Sequence, residues 1–225
     1  MLKNKSILAV IPARGGSKGI KLKNIQKING TPLISFIKPV LNQLEYIDES
    51  VVSTDSLEIA KVAEKSGLSV PFLRPKYLSG DSISDLKVLR HALKKMEKIN
   101  KITYDIILML QPTSPLRKSS HINKTLNKLI NGKYDSVMTV SETDSKEHPL
   151  KQLKIKKDKL FLFDKAGRDI ITRQELDKVY HRNGIAYAFT RECLVQQNPI
   201  INLGENASAV IIEDFTVNID SQFDM

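Results

Sequence analysis

Disulfides and zinc sites are the first features that this sequence excludes. The 225 residues include one cysteine, Cys193, so no internal disulfide can form, and this favours a reducing compartment. The four histidines lie far from Cys193 and from one another, and their spacing matches no zinc-binding pattern. The fold must therefore rest on a hydrophobic core, for which a content of 41% hydrophobic residues is sufficient.

Long apolar runs are also missing. The first such run, 7–12, is shorter than the hydrophobic region of a signal peptide and is followed closely by Arg14. Nowhere does the sequence approach the roughly 20 consecutive apolar residues that a membrane-spanning helix needs. We therefore expect a cytoplasmic protein with no membrane partner.

Acidic residues are fewer than basic ones, 25 against 35, which gives a net charge of +10. A lysine-rich, solvated surface is the simplest explanation, and binding of a nucleic acid or a small polyanion is the alternative. Aromatic residues make up only 6% of the chain, and they do not interleave with the basic ones as a stacking platform for bases requires. Nucleic acid is therefore not an expected partner.

Strand-like and helix-like segments alternate along most of the chain. A strand covered on both faces has a nearly continuous apolar run, as at 6–13 (SILAVIPA), whereas a helix has apolar residues three and four positions apart, as in Leu86, Leu89 and Leu93. This alternation predicts an α/β fold, a three-layer sandwich with a mainly parallel sheet. Further strands are predicted at 50–55, 69–74, 104–112, 135–142, 184–190 and 207–213, and helices at 32–44 (bent or broken at Pro39), 56–67 and around 122–130, the last capped by Ser119 or Ser120.

The pattern changes between about 145 and 180. Charge rises there, helical spacing fades, and short alternating segments such as KQLKIKKDKLFLFD take over. Alternation of this kind predicts a hairpin. We interpret the segment as an arm inserted into a single domain that covers 1–225.

The segment that follows the first predicted strand, ARGGSKGIKLKN at 13–24, combines three glycines with four cations. Ligands of parallel α/β sheets bind beyond the carboxyl ends of the strands, where this segment lies. Glycines let backbone N–H groups approach an anion, and arginine and lysine neutralise phosphate charge. Neither a P-loop nor a dinucleotide-binding motif is present. The segment predicts a polyphosphate site, and a basic surface loop with turn glycines is the alternative.

This opening segment resembles the signature loop of the acylneuraminate cytidylyltransferases, the CMP-sialic acid synthetases. The likeness continues in order through VVSTDS (51–56), LRPKYLSGD (73–81), VLRHAL (88–93), LQPTSPLR (110–117), RNGIAYAF (182–189) and VNIDSQFD (217–224). The resemblance implies a Rossmann-like nucleotide-binding sheet, a nucleotidyltransferase domain and a homodimer formed partly by the inserted dimerisation arm. It also implies a Mg²⁺-dependent reaction in which CTP and a nonulosonic acid, a nine-carbon acidic sugar, give the CMP-sugar and pyrophosphate.

The same resemblance implies roles for individual residues. Arg14, Lys23 and Asp220 are expected to be catalytic. The remaining cations and polar residues of the matched motifs are expected to bind the substrates: Ser17 and Lys18 the phosphates, Asn24 the nucleotide, Arg74 the cytidine, Gln111 the sugar, and Arg173, His181 or Arg182, Asn183 and Tyr187 the region of the sugar.

The expected metal site departs from the family pattern. Family members commonly carry Asp-Ile-Asp near the end of the chain, whereas this chain has Asn218-Ile219-Asp220. Residues two apart in a strand share a face, so Asn218 and Asp220 are expected to point together and bind Mg²⁺, with Asp220 the stronger ligand. Asp55 is either a second carboxylate near the metal or a turn residue, and Asp224 is expected to start a helix.

Two further departures concern the substrates. Family members often carry a serine near the cytosine where this chain has Asp85, and Ser82 with Asp85 forms a capping-box pattern, so a structural role is expected for Asp85. In the arm, 173–177 (RQELD) has aspartate where the family has proline. An arginine of this region meets the sugar carboxylate in the family, and His181 and Arg182 remain alternative matches. For Tyr187, a position in the core is the simpler alternative to one facing the sugar.

Three functions are therefore in competition. The first is a cytidylyltransferase for a nonulosonic acid, with a bacterial sugar other than N-acetylneuraminate slightly favoured by the altered arm and by Asn218. The second is a cytidylyltransferase for another acidic sugar such as 3-deoxy-manno-octulosonate. The third is a non-catalytic nucleotide-binding module. Family members usually continue into one more helix after the last motif, and without it we expect apolar surface to be exposed on one face of the sheet.

Overall fold

The computed structural model describes residues 2–17, 19–195 and 204–225 of the chain. A six-stranded sheet with the strand order β10-β6-β9-β5-β1-β4 forms its centre. The strands are β1 (Ile7–Pro12), β2 (Lys27–Ile28), β3 (Thr31–Pro32), β4 (Glu49–Ser53), β5 (Ile106–Met109), β6 (Ser136–Glu142), β7 (Leu153–Lys156), β8 (Lys159–Leu162), β9 (Tyr180–Thr190) and β10 (Ala207–Ile211). The helices are α1 (Ile37–Leu41), α2 (Leu57–Lys65), α3 (Asp85–Asn100), α4 (Ser119–Gly132) and α5 (Arg191–Val195).

The central sheet is mainly parallel, as the sequence predicts. Strand β1 pairs in parallel with β4 and β5, and β10 pairs in parallel with β6. Strand β9 runs antiparallel between β5 and β6. It therefore approaches the carboxyl ends of its neighbours with its own first half, which brings 180–184 to the edge where ligands of such sheets bind.

The core lies on both faces of this sheet. Residues of β1 alternate between the two faces, with Ile7 and Ile11 in one buried cluster and Leu8 and Val10 in the other. Helix α3 covers the second face with Leu86, Leu89, Leu93 and Met96, while α1, α2 and α4 cover the first. The predicted three-layer arrangement is therefore confirmed.

Most predicted elements are present, with two corrections. The segment 69–74 is not a strand, because only two isolated bridges, Val51–Ser69 and Thr54–Leu73, join it to the sheet edge. Pro71 explains this, since it has no N–H to donate to a ladder. Helix α4 has Lys118 at its N-cap, so Ser119 is already helical and neither it nor Ser120 is the cap. Pro39 lies in the first turn of α1, where its missing N–H has no helical partner to lose.

The predicted hairpin is also present between 145 and 180. Strands β7 and β8 pair antiparallel outside the central sheet, and the turn residues Lys157 and Asp158 both have positive φ, as a tight two-residue hairpin turn requires. His148 closes the base of the arm. Its Nδ1 accepts from the Leu150 N–H at 3.2 Å, which leaves Nε2–H to donate to the Asp177 carbonyl, also at 3.2 Å. In the part of the chain that the structure describes, no helix is long and apolar enough to cross a membrane.

A buried histidine joins the start of α4 to the segment after β10. The His121 Nδ1 atom accepts from the Lys118 N–H, so its Nε2–H donates to the Asp214 carboxylate at 3.0 Å. The Lys118 ammonium also donates to this carboxylate, at 2.7 Å. These two contacts hold the pKa of Asp214 down, at about 2.

We expect an Asp214→Asn variant to make the stability of the protein less sensitive to acid. Because the native pKa of Asp214 is depressed, its stabilising contribution is fully present above about pH 4 and is lost as the pH falls towards 2. Urea unfolding of the wild type and the variant should therefore converge over this window. A Glu64→Gln change on the exposed face of α2 is the control. A constant difference between Asp214→Asn and the wild type from pH 5 to pH 2 would contradict this role.

Candidate active site

A cavity of about 490 Å³ opens at the carboxyl ends of β1 and β5, beside the first turn of α3. Its volume is in the range of pockets that bind small molecules. The wall is built from four separate segments of the chain. It consists of Pro12, Arg14, Ser17, Gly19, Lys23, Asn24, Arg74, Leu78, Gly80, Asp81, Ile83, Asp85, Val88, Gln111, Pro112, Thr113, Asn218 and Asp220.

The loop after β1 contacts Asp55 and Asp220, and the close approach to Asp220 explains the glycine at position 19. The Gly15 N–H donates to the Asp55 carboxylate at 2.9 Å, so Asp55 helps to hold this loop, and its role near a metal stays a prediction. A Cβ on Gly19 would lie 2.6 Å from the carbonyl oxygen of Asp220, which is closer than such atoms approach. Leu22 adopts a left-handed conformation with φ 51°, and this turn directs Lys23 and Asn24 back to the cavity.

Two cations of this loop are paired with carboxylates across the cavity. The Arg14 guanidinium lies 2.8 Å from Asp81, and the Lys23 ammonium lies 2.7 Å from Asp220. Asn24 is buried and donates from Nδ2 to the Arg14 carbonyl, which fixes the loop behind these charges. Ser17 lies in the same wall, whereas Lys18 falls outside the described residues. The carboxylates occupy positions that anionic oxygens of a ligand would compete for.

The Asn218-Ile219-Asp220 triplet presents two oxygen ligands to the cavity. Ile219 is buried, while Asn218 and Asp220 both line the wall, as the two-residue spacing predicts. The Asn218 Nδ2 donates to Asp220 at 2.5 Å, and the Asn218 Oδ1 is buried with no hydrogen-bond partner. An amide oxygen and a carboxylate are ligand types that a hard cation prefers, although here the amide nitrogen of Asn218, and not its Oδ1, faces Asp220.

Asp224 holds this triplet from behind. Its carboxylate accepts from the N–H groups of Asp220 and Ser221, at 2.9 and 2.7 Å, and these bonds lower its pKa. The predicted role of Asp224 as a helix-start residue is confirmed, since it caps the short 3-10 helix 222–224. Within the described ranges, no group of three or more His, Cys, Asp or Glu side chains could hold a metal ion.

Arg74 is a nearly buried cation with free donors. It is 4% exposed, and its Nε and Nη2 atoms have no hydrogen-bond partner. The nearest carboxylate, Asp55, lies 3.9 Å from Nη2, which is too far for a hydrogen bond. Burial lowers the pKa of Arg74, although Asp55 acts against this shift. Unsatisfied guanidinium donors beside a cavity point to a ligand with acceptor atoms.

Asp85 lies in the cavity wall and does not form the expected capping box with Ser82. Helix α3 begins at Asp85 with Ser84 as its N-cap, and no side-chain capping bond forms there. The sequence pattern misleads because an acidic residue is equally favourable in the first turn of a helix, where Asp85 lies. Burial raises the pKa of Asp85, and the charges of Arg182, Arg74 and Arg14 act against this rise.

Gln111 reaches the opposite wall of the cavity, next to a glycine of β9. Gly184 has φ +71°, and a Cβ there would lie 2.5 Å from the Gln111 Oε1 and 2.8 Å from the Ser114 hydroxyl. Only glycine therefore fits between these side chains. The loop that carries Gln111 is anchored by Arg117, whose guanidinium donates to the carbonyls of Gln111, Gly184 and Ile185.

Arg117 is a functional residue that the sequence reasoning missed. It is buried, no carboxylate among the described residues pairs with it, and burial lowers its pKa to about 9, so it remains charged at neutral pH. Its role is to position the Gln111 loop against β9. Its place at the end of the motif LQPTSPLR is the only signal that the sequence offers. The motif does not show that Arg117 donates to carbonyls of β9, which lie nearly 70 positions later in the sequence.

Two expected sugar-binding residues of β9, Asn183 and Tyr187, are buried and hydrogen-bonded within the fold. Asn183 is buried, accepts from the Thr139 hydroxyl at 2.6 Å and donates to the Ser141 hydroxyl at 3.1 Å. Tyr187 belongs to the core on the α3 side, and its hydroxyl accepts from the Gly184 N–H at 2.7 Å. These side chains satisfy contacts around the Gly184 turn, and their assignment to the region of the sugar stays a prediction.

The remaining sugar-site candidates are not among the residues that line the cavity, although the charge of Arg182 acts on Asp85 in its wall. His181 and Arg182 are exposed at the start of β9, and the His181 Nδ1 lies 3.1 Å from the Thr143 hydroxyl. The structure does not bring Arg173 to the cavity, because Arg173 belongs to the arm. It lines a second cavity of about 580 Å³ there, together with His148 and Asp177.

The fold and the site together define a nucleotide-binding type of α/β protein, with a polyanion cavity at the carboxyl edge of its sheet. The chain matches the family described as "Cytidylyltransferase" over residues 8–200. It belongs to the cytidylyltransferase family.

Relatives that are similar over most of their length support this assignment. One is the post-translational flagellin modification protein B of Campylobacter coli, with 34% identity over 97% of this chain and 91% of the relative. Another is the CMP-N,N'-diacetyllegionaminic acid synthase of Campylobacter jejuni, with 32% identity over the same shares. A pseudaminic acid cytidylyltransferase of Campylobacter jejuni is 34% identical over 85% of this chain and 81% of the relative.

Solved structures agree on the fold. A CMP:2-keto-3-deoxy-manno-octonic acid synthetase complexed with CTP has a TM-score of 0.68 at 18% identity. The match covers 96% of this chain and 93% of that structure's chain. A 4-diphosphocytidyl-2C-methyl-D-erythritol synthase has a TM-score of 0.65 at 11% identity, with 98% and 95% covered. The expected Rossmann-like nucleotidyltransferase fold is confirmed.

We expect Gly19→Ala to destabilise the protein by about 1–3 kcal/mol, because the new Cβ forces the Asp220 backbone away from the loop. Gly16→Ala is the matched control, since its Cβ would meet nothing within 4 Å and should change stability by at most about 0.5–1 kcal/mol. Urea unfolding measures both. Equal free energies of unfolding for the two variants would show that the close approach of Gly19 to Asp220 is unimportant.

Proposed function

We propose that this protein activates a nonulosonic, sialic-acid-like sugar with CTP, giving the CMP-sugar and pyrophosphate. The observation that carries the proposal is the pairing of Arg14 with Asp81 and of Lys23 with Asp220 in the wall of one cavity. Family membership and the named relatives support the same reaction class, because the relatives' names specify cytidylyl transfer to pseudaminic acid and synthesis of CMP-diacetyllegionaminic acid.

The cations of the first loop would bind the triphosphate. Phosphate oxygens replace Asp81 beside Arg14 and Asp220 beside Lys23, so each guanidinium or ammonium keeps an anionic partner throughout. Such an exchange avoids leaving a desolvated charge unpaired, since Lys23 is only 15% exposed. It also frees the Asp220 carboxylate at the moment when the phosphates enter.

Asp220 and the orphaned Oδ1 of Asn218 would hold Mg²⁺ together with phosphate oxygens. When bound, the ion supplies positive charge that offsets the charge of the reacting phosphates. Asp224 keeps the Asp220 backbone in place because its carboxylate accepts hydrogen bonds from the N–H groups of Asp220 and Ser221. Asn218 contributes an oxygen but no charge, so Asp220 is the dominant ligand.

The acceptor sugar would enter beside Gln111. The anomeric hydroxyl oxygen of the sugar attacks the α-phosphorus, the bond from phosphorus to the bridging oxygen breaks, and pyrophosphate leaves while the hydroxyl proton passes to the medium. This chemistry needs positioning and charge neutralisation rather than a protein nucleophile. Arg14 and Lys23 supply the charge, and Arg117 positions Gln111 through the loop carbonyl at 2.5 Å.

Exposed apolar residues of the arm support a homodimer, and the single cysteine supports a cytoplasmic, reducing compartment. The hairpin leaves Leu153, Ile155, Leu160 and Phe161 between 45% and 73% exposed, which is unusual for a hairpin with so many large apolar residues. Packing against a second copy of the chain would bury them. Arg173 lies in the same arm, so a dimer is also the arrangement in which it could take part in sugar binding.

We expect an Ile155→Asp variant to be monomeric at concentrations where the wild type is a dimer, because the change introduces a charge into the proposed interface. Sedimentation velocity measures the distribution. Ile102→Asp is the matched control, since Ile102 is 47% exposed outside the arm and its replacement should leave the dimer intact. A wild type that is monomeric, or an Ile155→Asp dimer of unchanged affinity, would contradict the role of the arm.

The reaction is tested by Mg²⁺-dependent pyrophosphate release from CTP, with N-acetylneuraminate, N,N'-diacetyllegionaminate, pseudaminate and 3-deoxy-manno-octulosonate offered separately. Release with a nonulosonic acid is expected. Asp220→Ala should lower the rate by roughly 100-fold or more, because it removes the charged metal ligand. Glu64→Ala, which removes the same charge from the exposed face of α2, should not.

The other outcomes separate the competing functions. Release only with 3-deoxy-manno-octulosonate would establish the alternative sugar class. CTP binding without release from any sugar would favour a non-catalytic nucleotide-binding module. An Asp220→Ala variant as active as Glu64→Ala would refute the proposed metal site even if the reaction occurs.

A further inference from the structure

Strand β9 has a wide bulge at 183–186, where it passes the loop that carries Gln111. The register between β6 and β9 changes between Met138 and Val140, so that Thr139 alone lies opposite these residues. A bulge interrupts the ladder of hydrogen bonds between strands, and bulges are frequent beside active sites, where they redirect groups. Other groups must therefore satisfy the peptide units that the ladder no longer pairs.

The hydroxyl of Thr139 takes the place of the missing ladder. It accepts from the Ala186 N–H at 3.0 Å and donates to the Asn183 Oδ1 at 2.6 Å. This Oδ1 also accepts from the Ile185 N–H, at 3.2 Å. Thr139 is 0% exposed and Asn183 is 3% exposed, so solvent does not replace these bonds if one of the partners is removed.

Side chains from the other flank complete the bulge. The Ser114 hydroxyl donates to the Asn183 carbonyl at 2.9 Å, and the Gly184 N–H donates to the Tyr187 hydroxyl at 2.7 Å. The Arg117 guanidinium satisfies the next two carbonyls. These partners belong to β6, to β9 or to the segment after β5, and not to the loop after β1 that carries the phosphate-binding cations. The bulge is therefore fixed independently of the proposed contacts with CTP.

The position of the bulge matters because the Gln111 side chain rests against it. A Cβ on Gly184 would lie 2.5 Å from the Gln111 Oε1, so the bulge backbone and this side chain are close neighbours. Gln111 itself lines the cavity. Transfer requires the sugar hydroxyl to be aligned with the α-phosphorus, and a small displacement of a group that holds the sugar therefore slows the reaction.

We propose that Thr139 is a positioning residue for the acceptor sugar, because its hydroxyl fixes the bulge against which Gln111 rests. The proposal deepens the function proposed above and rests on it. Thr139 is fully buried and is not among the residues that line the cavity, so it acts through Gln111. It should therefore affect use of the sugar and leave binding of CTP unchanged. A threonine with a role in stability alone would change neither in the folded protein.

A Thr139→Val variant tests the proposal, because valine has the shape of threonine but neither donates nor accepts. Pyrophosphate release is measured at saturating CTP with the sugar that the wild type uses, and CTP affinity by isothermal titration calorimetry with Mg²⁺ and no sugar. Thr139→Val should lower kcat/KM for the sugar by roughly 10- to 100-fold, as a small displacement of a positioning group does, and leave CTP affinity unchanged. Thr139→Ser, which keeps the hydroxyl, should restore most of the loss.

Two further variants make the test independent of the folding of Thr139→Val. Thr125→Val is the matched control, since Thr125 is also fully buried and its hydroxyl donates to the His121 carbonyl at 2.8 Å inside α4, away from the cavity. It should leave kcat/KM for the sugar unchanged. Ser114→Ala removes a single bond from the other flank of the bulge, and it should show the same pattern as Thr139→Val with a smaller loss.

Failure of this inference is distinguishable from failure of the proposed function. A wild type that releases pyrophosphate with none of the sugars overturns the function and this inference with it. An active wild type together with an equally active Thr139→Val or Ser114→Ala variant overturns this inference alone. So does a loss in Thr125→Val as large as in Thr139→Val, or a fall in CTP affinity that matches the loss of sugar use, because either indicates a general disturbance of the fold.

Discussion

The ion pair between Lys23 and Asp220 is the contact on which the arrangement of the site depends. It joins the loop after the first strand to the last part of the chain, across 197 positions of sequence, and it does so inside the cavity. Gly19 allows the same two segments to touch through their backbones, since any larger residue would meet the Asp220 carbonyl. The phosphate-binding cations and the proposed metal ligands therefore form one unit, and occupation of one part must alter the other.

The sheet explains why such distant segments meet. Strands β1 and β5 are neighbours and parallel, so the loops after both of them leave at the same edge. Strand β9, which runs the other way, brings Gly184 to that edge and supplies the carbonyls that hold Arg117. The reaction proposed here needs groups held in position more than it needs a reactive side chain, and a rigid sheet edge provides this.

Much of the fold could be predicted from the sequence because strands buried on both faces have continuous apolar runs and α3 has regular helical spacing. The prediction of a strand at 69–74 is wrong because the segment has the apolar pattern of a strand, while Pro71 prevents a continuous ladder of hydrogen bonds to the sheet. Within the site, motif order placed Arg14, Lys23 and Asp220 correctly in one cavity. It could not place Asp85, since the same residue pattern serves a helix cap or a cavity wall. It could not show how Asn183 and Tyr187 are held, because their partners come from β6 and from the turn at Gly184.

The account's central claim is that the carboxylates hold the places of the phosphates until the nucleotide arrives. A crystal structure of the complex with Mg²⁺ and a CTP analogue that cannot release pyrophosphate tests this most directly. The account predicts that Lys23 is within hydrogen-bond distance of phosphate oxygens and no longer contacts Asp220, and that Asp220 and the Oδ1 of Asn218 face the metal. A triphosphate bound elsewhere, with the pair between Lys23 and Asp220 intact, would contradict it.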